Sequence, residues 1–144
     1  MQTSNNDEFA RLSARCRMHM KAGMLDWFAY DLKTMGALFG REGKHEDKLK
    51  VLLLAFYIDL CGVNCRPFID RAVLVSIEHT VPHTGLSKHE IQQLYLDTVR
   101  ADVTPRHIMT VKDSLYLLEL CMDCKEDEAN EILQGIIMRD AVER

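Results

Sequence analysis

Five cysteines and six histidines hold most of the chain's capacity for metal and thiol chemistry. Cys61 and Cys65 are followed, after thirteen residues, by His79 and His83. Two thiolates and two imidazoles at that spacing suit a tetrahedral zinc ion. Cys61, Cys65, Cys121 and Cys124 form a second possible set, because both pairs fall at junctions between apolar segments. Against both sets stands the setting of Cys61 and Cys121. Each closes a strongly apolar run, where a free cysteine behaves as a small core residue. Pro82 also lies between the two histidines and is expected to stop the element that carries them. The first expectation is therefore no cofactor, with structural zinc as the alternative. Cys121-x-x-Cys124 lacks the strand-then-helix setting of a redox pair.

The chain has no glycine-rich phosphate loop, dinucleotide fingerprint, nucleophile elbow or helical zinc-protease motif. The reading is accordingly non-enzymatic. Charge narrows the partners further. Residues 1–50 carry a net +2 and residues 101–144 a net −5. The acidic end is a poor surface for nucleic acid, whose phosphates need lysine and arginine. The longest apolar run is the eight residues Val51–Ile58, well short of the roughly 20 needed to span a bilayer. The polar, acidic start of the chain does not read as a secretory signal. With an odd number of cysteines, a cytoplasmic protein with reduced thiols is expected.

What positions these residues is helical. Phe9, Leu12, Cys16, Met20, Met24, Phe28, Leu32, Met35 and Phe39 recur every three or four residues. They predict a helical segment over 7–39, either kinked or divided at Gly23 and Gly36. A helical body over 44–144 follows within one domain. Val51–Ile58 is apolar all round and predicts a deeply buried helix. Pro67 opens a further helix, although Val73–Val75 is β-branched enough for a short strand. Ser87 and Glu90 have capping-box spacing, with Leu86 and Ile91 placed to close a hydrophobic staple. Thr104-Pro105 and Thr110 are further start signals. Glu126, Asp127 and Glu128 suit the first turn of a last helix. The fold class is all-α: a compact bundle of six or seven helices with short loops.

Tyr57-Ile58-Asp59-Leu60-Cys61 parallels Leu117-Leu118-Glu119-Leu120-Cys121, and each is followed by a second cysteine and a basic residue. This suggests two pseudo-repeated helix hairpins. With Gly85-Leu86-Ser87-Lys88-His89-Glu90, the layout is similar to tellurite-resistance-type helical domains. The resemblance implies paired hairpins only. Their acidic turn does not align with Asp59-Leu60-Cys61-Gly62, so no function is carried over.

The positive functional signal is the N-terminal stripe. It is rich in methionine and is flanked by Arg11, Arg15, Arg17 and Lys21. Methionine adapts to varied partners, and the body from Lys44 onward has at least five apolar stripes able to cover one another. The surplus surface predicts protein–protein binding, as in an adaptor, chaperone or immunity-type accessory protein, and self-association as a homodimer; the other reading is that the stripe folds back and completes its own core. Phe9, Arg11, Leu12, Arg15, Met20, Met24 and Trp27 are the expected contact residues.

Overall fold

Gly23 and Gly43 have φ of +71° and +74°, a backbone conformation that only glycine adopts freely. Each ends a helix and turns the chain straight into the next one. In the computed structural model, which describes residues 2–62, 66–99 and 108–143, seven helices follow one another. They are α1 (Gln2–Lys21), α2 (Leu25–Arg41), α3 (His45–Cys61), α4 (Arg71–Thr84), α5 (Lys88–Thr98), α6 (Val111–Met122) and α7 (Glu126–Glu143). They form a compact all-helical bundle, with no strand among the described residues. The 7–39 stripe is thus two helices, and the first begins at Gln2 rather than near residue 7. The Thr104-Pro105 start signal lies outside the described residues.

Three joints share one construction. After α1, Gly23 N donates to Met20 O (3.2 Å) and Met24 N to His19 O (2.9 Å). After α2, Gly43 N donates to Gly40 O (3.2 Å) and Lys44 N to Phe39 O (2.9 Å). After α6, Cys124 N donates to Cys121 O (3.2 Å) and Lys125 N to Leu120 O (2.8 Å). These bonds satisfy carbonyls that a helix end otherwise leaves open. The carbonyls of Met24, Lys44 and Lys125 then accept the first bond of the following helix. The proposed repeat is therefore only partial. Residues 57–61 and 117–121 share one burial pattern. The α6–α7 turn, however, matches α1–α2 and α2–α3, whereas α4 starts only at Arg71 after a longer connection.

Two departures concern α4. The β-branched Val73 and Val75 sit in helix, because Asp70 caps its start by accepting from the amides of Ala72 (3.0 Å) and Val73 (3.3 Å). Pro82 does not stop the helix, which runs to Thr84 and ends at left-handed Gly85. In the last turn a missing N–H costs a single bond. The capping box at Ser87 is complete: Glu90 N donates to Ser87 Oγ (3.1 Å) and Ser87 N to Glu90 Oε1 (3.0 Å). That amide bond holds the Glu90 carboxyl below its usual range. Thr110 caps α6 through Asp113 N (3.0 Å).

α3 is buried nearly all round and divides two apolar clusters. Leu49, Leu53, Phe56, Tyr57 and Leu60 face the larger one, which α4 to α7 complete. There the hydroxyls of buried Tyr95 and Ser114 are hydrogen-bonded at 2.7 Å. Ala55 and Ile58 face the smaller cluster, with Cys16 of α1 and Leu25, Phe28, Ala29 and Leu32 of α2. Gly36 lets α2 lie close to α3, since a Cβ there would come 3.3 Å from Leu52 Cδ2.

Cys124 holds the left-handed position of its turn with φ of 62° and is the one described non-glycine residue that does so. That conformation costs a side-chain-bearing residue about 1–2 kcal/mol. Glycine relieves the cost but loses about 0.5–1 kcal/mol through its freer unfolded chain. Cys124→Gly is expected to raise stability by roughly 0.5–1 kcal/mol, read as a higher urea midpoint. An unchanged or lower midpoint would show that the turn carries no strain.

Candidate functional site

Asp31 is fully buried although it is a carboxylate. A buried charge persists only when paired and hydrogen-bonded. Both partners come from α1. Arg15 donates through Nε to Asp31 Oδ1 at 3.0 Å, and its Nη2 lies 3.0 Å from the same oxygen. His19, one turn further along, meets Asp31 Oδ2 through Nδ1 at 2.5 Å. Charge-assisted bonds of this kind are the strong ones, and here they fix the register of α1 on α2. Leu12 and Cys16 lie on the same buried stripe, and Phe9 packs on Phe39 with ring centroids 5.3 Å apart.

Above this buried group lies an exposed face. The Trp27 ring covers His19 (centroids 6.0 Å) and meets Tyr30 edge-on (6.2 Å). Both rings remain more than half exposed, at 56% and 57%. Trp27, Tyr30 and Thr34 follow at three- and four-residue steps along α2. Arg11, Arg15 and Met18 do the same along α1, so each set shares one side of its helix. Arg11, Arg15 and Thr34 also line a cavity of about 340 Å³, with Glu8 and Leu12.

The expected contact residues therefore divide. Arg11, Arg15 and Trp27 belong to this face. Met20 and Met24 are exposed near the α1–α2 turn. Leu12 is buried and Phe9 half-buried, so Leu12 supports the surface from beneath and Phe9 is partly withdrawn. Met18, Tyr30 and Thr34 were not among the expected residues. Their three- and four-residue spacing to Arg11, Arg15 and Trp27 was the available signal.

Two of the thiols, Cys16 and Cys121, are held protonated by their surroundings. Burial pushes the Cys16 thiol up to about 11, Asp31 adds to the rise, and Arg15 and Arg17 offset part of it. Burial, then Glu126 and Glu78, raise Cys121 likewise to about 11. A thiol held protonated is a weak nucleophile and a poor ligand. Cys61 is buried in the larger core, and Cys124 is exposed. His79 and His83 stand one turn apart on α4, and the His83 ring stacks on His45 at 4.7 Å. Cys65 lies outside the described residues. Among those described, no group of three or more His, Cys, Asp or Glu side chains is placed to hold a metal. Nor is any described helix long and apolar enough to cross a membrane.

A second polar cluster joins α2, α3 and the start of α4. Lys33 Nζ lies 3.0 Å from Asp59 Oδ2 and 2.8 Å from Asp70 Oδ2. Burial raises the Asp59 carboxyl to about 6, with Lys33 opposing the rise. Burial also works against ionisation of Asp70, but Lys33 and the Val73 and Ala72 amides outweigh it and hold that carboxyl low. Lys33 ends above its usual range, because these pairings outweigh its own burial.

No family model matches the chain, and comparison with curated proteins and with solved structures finds no significant similarity.

The Asp59 shift predicts a pH dependence. The folded state holds this proton more tightly than the unfolded chain, so its contribution is fully present below about 3.8 and is lost as pH rises through about 6. Asp70 acts in the opposite sense, losing stability as pH falls through its lowered pKa. Asp59→Asn should therefore gain on the wild type as pH rises through that window. Urea midpoints of both proteins across it provide the check, and a constant difference would mean that Asp59 does not titrate there.

Proposed function

We propose that this chain is a non-enzymatic protein-binding module that docks through the outer face of the α1–α2 hairpin and pairs with a second copy of itself. The observation that carries this reading is the exposure of Trp27 and Tyr30, side by side, on a hairpin held in register by the buried Asp31 group. Tryptophan, tyrosine, arginine and methionine are the types enriched in interface cores and hot spots. A rigid support lowers the ordering cost that binding otherwise carries. The face combines all four types, in Trp27, Tyr30, Arg11, Arg15 and Met18. An adaptor, chaperone or immunity-type accessory role fits a surface of this kind. The cytoplasm fits the chemistry of the thiols, since Cys124 is an exposed free thiol and Cys16 and Cys121 are free and buried.

Trp27 is the only tryptophan in the chain, so its fluorescence reports on this face alone. The expected result is dimer mass by sedimentation and a blue shift of emission as concentration rises. Trp27→Ala should weaken association by about 2 kcal/mol or more, as loss of a hot-spot residue does. A monomer at every concentration, with invariant emission, would falsify the reading.

A further inference from the structure

The end of α4, the start of α5 and the end of α6 enclose a second concave site, a groove of about 250 Å³ far richer in apolar than polar lining. Val81, Leu86, Ile91, Leu115, Leu118 and Met122 form its interior. Four polar side chains edge it. Gln92 Nε2 donates to Glu119 Oε1 at 2.8 Å, and Lys88 Nζ stands 3.9 Å from Asp123 Oδ2. Lys88 and Asp123 are both mainly exposed, which leaves that contact weak. Two carboxylates against one ammonium give the rim a net −1. The carbonyl ends of α4 and α6 approach the same place and add negative potential, which the amide end of α5 offsets in part. The groove suits an apolar group flanked by positive charge.

The outer face of the hairpin presents such a group. Met18 is 56% exposed on α1, with Lys21 one turn beyond it, Arg15, already paired with Asp31, one turn before it, and the small Ala14 and Ala22 beside it. Neither Arg11 nor Lys21 has an acidic partner among the described residues, so their charge is available. An apolar cavity of about 150 Å³ can already hold a benzene-sized group. The groove therefore has room for the flexible Met18 side chain.

We infer that the α4–α5–α6 groove seats the Met18 ridge of a second copy, with Lys21 of the ridge opposite Asp123 of the rim. This rests on the self-association proposed above and names the surface that receives the hairpin. In a two-fold pair the ridge of each copy enters the groove of the other, which makes two equivalent seats. Charge complementarity selects this occupant. A basic, methionine-bearing ridge meets an acidic, apolar groove, and the same contrast appears in the opposite net charges of the chain's two ends.

Charge reversal tests the seat on the full chain. Lys21→Glu and Asp123→Lys both alter exposed side chains, and far-UV circular dichroism verifies that each variant is folded. Each alone should raise the dimer dissociation constant about tenfold, measured by sedimentation equilibrium, because like charges then face each other. The double variant should return to within about threefold of the wild type. If the wild type dimerises and Trp27→Ala weakens it while neither reversal has an effect, the seat is overturned and the self-association stands. Single variants that weaken without rescue in the double also overturn the seat. A wild type that never associates overturns both.

Discussion

A carboxylate with no exposure to solvent, Asp31, fixes the arrangement of the N-terminal half. It sits on the side of α2 that faces α1 and needs partners there, and Arg15 and His19 supply them from positions one turn apart. Breaking such a group is far more costly than its net contribution when intact. Its principal effect is on register. A slide or rotation of α1 by one residue would leave Asp31 unpaired in an apolar setting. The same constraint turns Trp27 over His19 and leaves Tyr30 and Met18 outward. The face proposed for binding is thus the outer side of a buried ion group.

α3 passes this order to the rest of the bundle. Among the described residues it is the one helix with members in both apolar clusters, so the hairpin and the remaining helices are coupled through it. Lys33 adds a polar link across the same boundary, from α2 to Asp59 of α3 and Asp70 at the start of α4. Shared tight turns do the remaining positioning. Three helix ends reverse through a left-handed residue that leads directly into the next helix, which leaves little freedom in how neighbours meet.

Much of the fold was legible because its signals are local. The Ser87–Glu90 box, the Thr110 cap and the glycine at 23 each act within a few residues. Cys124 was not legible as a left-handed turn residue, because a cysteine carries no such signal. Pro82 misled for a related reason: a proline in a last turn costs one hydrogen bond, whereas the same residue in mid-helix costs about 3 kcal/mol. The binding face was half legible. The apolar stripe over 7–39 reads as one seam, yet α2 is buried on two sides, toward α1 and toward α3. Leu12 lies beneath the surface for a different reason, sharing the buried stripe of α1 with Cys16 and His19. Asp31 reads as an ordinary surface acid in sequence, because its partners lie 12 and 16 residues away. Spacing alone groups Tyr30 with Trp27 and Met18 with Arg15, and that pairing joins the two sets into one face.

Amide hydrogen exchange of Asp31→Asn against the wild type tests this account most directly. The substitution keeps the shape of the side chain and removes the charge that Arg15 and His19 hold. Faster exchange is expected through residues 11–21 of α1, with the protection of α3 and α6 retained and the Trp27 emission altered. Unchanged exchange in α1, or an equal loss of protection in every helix, would show that the buried aspartate does not set the position of the hairpin.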